Sequence, residues 1–197
     1  MNQSALKISK LFTLEEYLDY DDETDDRYEL VDGELVEILT ESPENCLIAK
    51  LLMWELAKHI PIARINLKDI AIEVSGRRAK IRLPDLTILS EDGYKTVMGQ
   101  LSNTITQVMP PPILVVEVVS PKSENRDRNY RHKHTEYAAR GITEYWIIDP
   151  ELQQITLCLW VNGKYEDTLY KRDAKLKSTV VVNFDLSTEQ ILAFGKI

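Results

Sequence analysis

The chain has 197 residues, 44% of them hydrophobic, with 32 acidic against 24 basic side chains, a formal charge of −8 and a pI near 5.0. That length supports one well-packed domain, while the acidic balance argues against a protein that coats nucleic acid by net charge, though local basic surface can still meet phosphates. No stretch approaches the roughly 18 apolar residues of a membrane span, residues 1–10 lack a secretory apolar segment, and Cys46 and Cys158 are too few and too far apart for a disulfide framework or metal cage. A soluble, cytoplasmic chain is expected.

Thr13-Leu-Glu-Glu16 has the form of a capping box and predicts a short helix through Leu18. The acidic run 19–26 lacks the glycine and spacing of a calcium loop and reads as a solvated linker. Residues 27–31 and 34–39 flank Asp32-Gly33, a pair suited to the positive φ angles of a type I′ hairpin turn. After Ser42-Pro43, the apolar residues Leu47, Ile48, Leu51, Leu52, Trp54, Leu56 and Ile60 recur at helical spacing, so a helix over about 44–59 should pack on a sheet.

Residues 67–74 and 79–89 read as strands separated by a turn at 75–78. The pattern then weakens over 90–112, with a short helix expected near 94–100 and the triple proline 110–112 stopping regular structure. Residues 113–119 are apolar on both faces apart from Glu117, as in a central strand covered on each side. A helix over 124–140 closed by Gly141, and a strand over 144–148, complete a strand–helix–strand unit. A second hairpin follows, 153–160 and 164–171 about Asn162-Gly163, then a strand near 179–184 and a short helix opened by Ser187.

Two carboxylates fall inside strand-like apolar runs: Asp85 in residues 81–89 and Glu117 in 113–119. Burying an isolated carboxylate is costly unless a cation, a proton or hydrogen bonds compensate it. A buried acidic pair therefore suggests a divalent metal held by oxygen ligands. Each acid also has a bland reading: Glu117 could pair with Arg82, and Asp85 could be a turn or bulge aspartate after Pro84. Val115, Glu117 and Val119 share a strand face, so the place two residues beyond the acid, where many magnesium nucleases carry a lysine, holds valine. Lys133 lies with Tyr130, Tyr137 and Ala138 at i, i+3, i+7 and i+8 on the sheet-facing side of the following helix, and could supply the amine or be a surface lysine. Lys122 and Arg126, in the loop and first turn, suit solvated roles.

Other constellations are weaker. His132 and His134 point about 200° apart on a helix and cannot share a metal on that side, and His134 suits a core-edge packing role. Nucleotide-binding glycine loops and a nucleophilic serine elbow are absent, Ser120 lacks a base, and Tyr145 and Trp146 suit strand-core positions. The stretch 122–140 is locally basic, which fits a mixed exposed helix face or a phosphate-tracking surface.

Tyr28-Glu-Leu-Val-Asp-Gly-Glu34, Arg82-Leu-Pro-Asp85, Val115-Val-Glu-Val-Val-Ser-Pro121, residues 127–133 and the run from Tyr137 to Pro150 occur in an order that resembles the bacterial family of putative restriction endonucleases, once a domain of unknown function, within the PD-(D/E)XK nuclease superfamily. The resemblance covers most of residues 12–165. It implies an α/β, restriction-endonuclease-like fold, a mixed central sheet flanked by helices with added β-hairpins, in a single domain over 1–197. It implies a Mg²⁺-dependent endonuclease acting on DNA, with Mn²⁺ able to substitute: Asp85 and Glu117 as metal ligands, Lys133 in place of the lysine missing at Val119, and Glu29 as an added acid, either ligand or orienting group. Glu29 opens a hairpin strand and could instead face solvent. Two-strand cleavage favours a homodimer. The rival expectations are a catalytically weak or inactive nuclease-fold module binding nucleic acid or protein, and a metal-dependent hydrolase of another substrate.

Overall fold

The structure, a computed structural model, describes residues 10–196 apart from 25, 39, 79 and 122, and leaves the side chains of 123, 124 and 196 aside. The expectations for residues 1–9, for Leu39 and Ala79 as strand ends, and for Lys122 lie outside the described residues. No described helix is long and apolar enough to cross a membrane.

Two mixed sheets form the molecule. A six-stranded sheet runs β11-β10-β9-β8-β6-β3, and a five-stranded sheet runs β2-β1-β5-β4-β7. The strands are β1 Tyr28–Val31, β2 Glu34–Glu37, β3 Ile65–Leu67, β4 Ala71–Glu73, β5 Ile81–Arg82, β6 Leu86–Ile88, β7 Thr104–Ile105, β8 Leu114–Val118, β9 Glu144–Asp149, β10 Gln154–Val161 and β11 Lys164–Lys171. The helices are α1 Leu14–Leu18, α2 Pro43–Leu56, α3 Glu91–Met98, α4 Ser123–Asp127, α5 His134–Arg140 and α6 Thr188–Ala193, with a π turn, Arg128–Lys133, joining α4 to α5.

Local chemistry explains most of these boundaries. The Thr13 hydroxyl accepts from the Glu16 N–H, and the Glu16 carboxylate accepts from the Thr13 N–H, so the expected capping box opens α1. Ser42 caps α2 with Pro43 in its first turn. Asp32 and Gly33, at φ 52° and 91°, and Asn162 and Gly163, at 50° and 90°, adopt the positive-φ pair that closes both hairpins. Gly141, at φ 78°, ends α5 in the left-handed region.

Three expectations give way. The strand expected over 67–74 breaks at Lys68, at φ 57°, and its halves β3 and β4 enter different sheets. The strand expected over 79–89 breaks likewise at Leu83-Pro84-Asp85, because proline has no N–H to donate to a continuous ladder. The third is residues 179–184, which form no strand and instead fold over the buried carboxylate of Glu144. Helix α3 also begins earlier than expected, capped by Ser90, and Trp54, expected on the packed face of α2, is instead 68% exposed.

Alternation along β8 and β9 sends side chains to two separate cores. Val116, Val118, Trp146 and Ile148 pack with Ile48, Leu52 and Leu56 of α2 and Ile191 of α6. Val115, Val119, Tyr145 and Ile147 pack with Ile72 of β4 and Tyr137 of α5, so this face looks toward the second sheet. Complete burial of one such aliphatic or aromatic side chain contributes about 1.5–3 kcal/mol. Glu117 shares this second face, and Val119, where a lysine could have stood, is 3% exposed core.

Candidate active site

The antiparallel register of β6 on β8, with Leu86 opposite Val116, places Asp85 across from Glu117 at the strand ends. Both carboxylates are buried, at 4% and 5% exposure. Asp85 Oδ2 accepts from the Val118 N–H at 2.6 Å, and Oδ1 lies 3.3 Å from Lys68 Nζ. Glu117 Oε1 accepts from Lys133 Nζ at 2.7 Å and from the Tyr137 hydroxyl at 2.9 Å. Both bonds use one oxygen, which leaves Oε2 as the atom that could meet a cation.

Lys133 is buried, as its place on the sheet-facing stripe suggested, and lies in the π turn. Such turns insert an extra residue into a helix and recur at functional sites. Its ammonium lies 3.2 Å from Glu29 Oε1 as well as against Glu117. Glu29 on β1 is buried rather than solvent-facing, and both its oxygens are engaged: Oε2 by Arg82 Nη1 at 2.8 Å, Oε1 by the Leu83 N–H at 3.2 Å and by Lys133. Arg82 does not take Glu117 as its partner. It bridges Glu29 to Glu136, which also receives Lys80. The structure thus brings Glu29, Glu117 and Lys133 into one cluster, with Asp85 across the strand from it.

The electrostatics divide these acids. Burial pushes Glu117 up to about 7, against the pull of Lys133 and with the help of the Asp85 and Glu29 charges. Burial also pushes Asp85 up to about 7, aided by Glu41, whose carboxylate hydrogen-bonds it, and opposed by Lys68. Burial acts on Glu29 in the same direction, yet Lys133 and Arg82 overcome it and hold that carboxyl down at about 2. Burial disfavours the charged form of Lys133, but Glu117 and Glu29 outweigh it and keep its proton on.

All four residues line one cleft of about 450 Å³ together with Glu41, Arg128 and Asn129. Asn129 Oδ1 and Arg128 Nε are buried there without a hydrogen-bond partner among the described residues. Buried polar atoms are rarely left unpaired. An orphaned acceptor and an orphaned cationic donor beside two buried carboxylates raised by burial fit a cleft that receives both a cation and an anion. Arg126 pairs with Asp149 and Glu151, away from these groups. His132 is exposed, and Tyr145 and Trp146 are fully buried core.

Sequence reasoning missed four participants: Glu41, Lys68, Tyr137 as a donor to Glu117, and Asn129. Lys68 sits inside what reads as an unbroken strand, and Glu41 in an ordinary loop before a helix cap, so neither carries a local signal. Tyr137 was visible on the same helical stripe as Lys133.

The Uma2 family model, described as "Putative restriction endonuclease", matches residues 14–189. The chain belongs to the Uma2 family. Among solved structures it is similar to a protein described as a putative nuclease belonging to DUF820 from Anabaena variabilis, with 16% identity, a TM-score of 0.70, and coverage of 93% of this chain and 99% of that one. At that identity the likeness establishes the shared fold, a mixed α/β arrangement of two mixed sheets flanked by helices. No curated protein is similar enough to count as a match.

Proposed function

We propose that the cleft hydrolyses phosphodiester bonds in DNA with Mg²⁺, and that Mn²⁺ can replace it. The observation that carries this reading is the pair Asp85 and Glu117, buried opposite one another and both pushed up to about 7, a charge arrangement that a divalent cation would relieve. Their carboxylates would hold the ion. When bound, it supplies positive charge that polarises a phosphodiester and eases deprotonation of a nearby water.

The chain's own residues do the rest. Lys133 is held protonated, so its part is to donate hydrogen bonds to the attacking water and to steady negative charge on the phosphate, not to remove a proton. Glu29, with both oxygens committed to Arg82, Leu83 and Lys133, is a positioning residue that keeps the ammonium in place and is not a metal ligand. Arg128 is placed to meet a phosphate oxygen, and Asn129 to accept from water. A homodimer would supply the two cleavage centres that a double-strand cut requires.

The test is cleavage of single- and double-stranded DNA by purified protein with Mg²⁺ or Mn²⁺, beside a folded Glu117→Gln control. Divalent-dependent cleavage that falls by about 10³-fold or more in the control is the expected result. Equal activity in both would remove Glu117 from the site, and intact substrates throughout would favour a binding module.

A further inference from the structure

Away from the cleft, the outer hairpin carries a second cluster of ligating side chains. Cys158 on β10 stands directly opposite Asp167 on β11 in the antiparallel register, so both project from the same face of the hairpin. His134, the first residue of α5, reaches that face, with Nε2 3.0 and 3.1 Å from the two Asp167 oxygens. The Tyr165 ring meets the imidazole in an edge-to-face contact, 5.2 Å between centroids. One ligand atom from each of the three residues lies within 4.8 Å of the others.

The composition of this set selects its ion. One thiol, one imidazole and one carboxylate is a borderline-soft donor set, suited to zinc at bond lengths of about 2.0–2.3 Å and unlike the all-oxygen shell that Mg²⁺ takes. The burial gradient supplies a route. Cys158 is fully buried, while the side chains of His134 and Asp167 are 23% and 47% exposed, so an ion arriving from solvent meets the carboxylate first and keeps room for a water on its outer side.

We propose that Cys158, His134 and Asp167 form a zinc site that clasps α5 to the β10–β11 hairpin, with water as the fourth ligand. Binding releases the Cys158 thiol proton to solvent, and the thiolate, imidazole and carboxylate donate to the ion. Because His134 directly follows Lys133, the clasp fixes the end of the π turn that presents the buried ammonium to Glu117 and Glu29.

The experiment uses chelator-treated full-length protein in Mg²⁺ buffer, titrated with Co²⁺ as a spectroscopic probe and with Zn²⁺ by calorimetry. The expected result is one Zn²⁺ per chain and a near-ultraviolet thiolate-to-cobalt band that zinc bleaches. The band disappears in Cys158→Ser and persists in Cys46→Ser, which alters the other cysteine. His134→Gln and Asp167→Asn, at partly exposed positions, fold independently of the core thiol and lower zinc affinity by at least about 10-fold. Absence of the thiolate band in wild type, or unchanged zinc affinity in both His134→Gln and Asp167→Asn, overturns the proposal. None of these readouts depends on nuclease activity.

Discussion

Glu117 and Glu144 lie on neighbouring parallel strands of one sheet, both buried, and face opposite fates. Glu144 accepts five hydrogen bonds, from Trp146 Nε1, the Ser178 hydroxyl, the Thr179 N–H and hydroxyl, and the Val180 N–H. Glu117 accepts two, both on one oxygen. The first carboxylate is a finished structural joint that pins residues 178–180 onto the start of the central strand β9. The second is left short of donors beside another acid. Burial alone therefore does not single out a candidate site acid; burial with incomplete compensation does.

The comparison breaks most visibly at Glu144. Glu144→Ala leaves five donors without their acceptor, and we expect a loss on the order of 3–5 kcal/mol, seen as a melting temperature lower by about 10 °C. Metal-dependent cleavage measured well below that temperature should change little. A stable Glu144→Ala protein would mean that the joint is dispensable.

Lys133→Ala sharpens the contrast from the other side. It should lower turnover by about 10²-fold while changing divalent affinity far less, because the ammonium donates to reactants in the proposed scheme and does not hold the ion. Equal losses in turnover and metal affinity would recast Lys133 as a scaffold for Glu117.

A smaller effect lies in the pH dependence of metal-free stability. Asp85 and Glu117 ionise near 7 when folded, against ordinary values of 3.8 and 4.5, so the folded state holds more protons between these limits. Stability contributed by this pair is present below about pH 4 and is lost as pH rises through about 7. Glu29 acts oppositely: held at about 2, it contributes stability above pH 4.5 that is lost as pH falls toward 2. Thermal melts of Glu117→Gln should be flatter between pH 5 and 8 and, at pH 8, higher by a few degrees, on the order of 1–2 kcal/mol. A variant curve parallel to wild type would mean that Glu117 does not titrate in that range.

Much of this was legible in the chain because it was written in local chemistry. Asp32-Gly33 and Asn162-Gly163 announce their hairpins, the stripe through Lys133 and Tyr137 announces the inward helix face, and acids inside apolar runs announce Asp85 and Glu117. What stayed hidden depends on contacts between distant segments. The breaks at Lys68 and Pro84 distribute four short strands between two sheets, which alternation alone does not encode. The π turn leaves no local sequence mark, and residues 179–184 look like a strand until Glu144 claims the N–H groups of Thr179 and Val180. The Cys158, His134 and Asp167 cluster gathers single residues from three elements, so counting cysteines gave no sign of it.

The most direct test of the account is calorimetric titration of Mn²⁺ into metal-free wild-type protein and into the folded double variant Asp85→Asn, Glu117→Gln at pH 8, since Mn²⁺ favours oxygen ligands. The account predicts one Mn²⁺ per wild-type chain at the acid pair and its loss in the double variant. Equal Mn²⁺ binding by both proteins would contradict it.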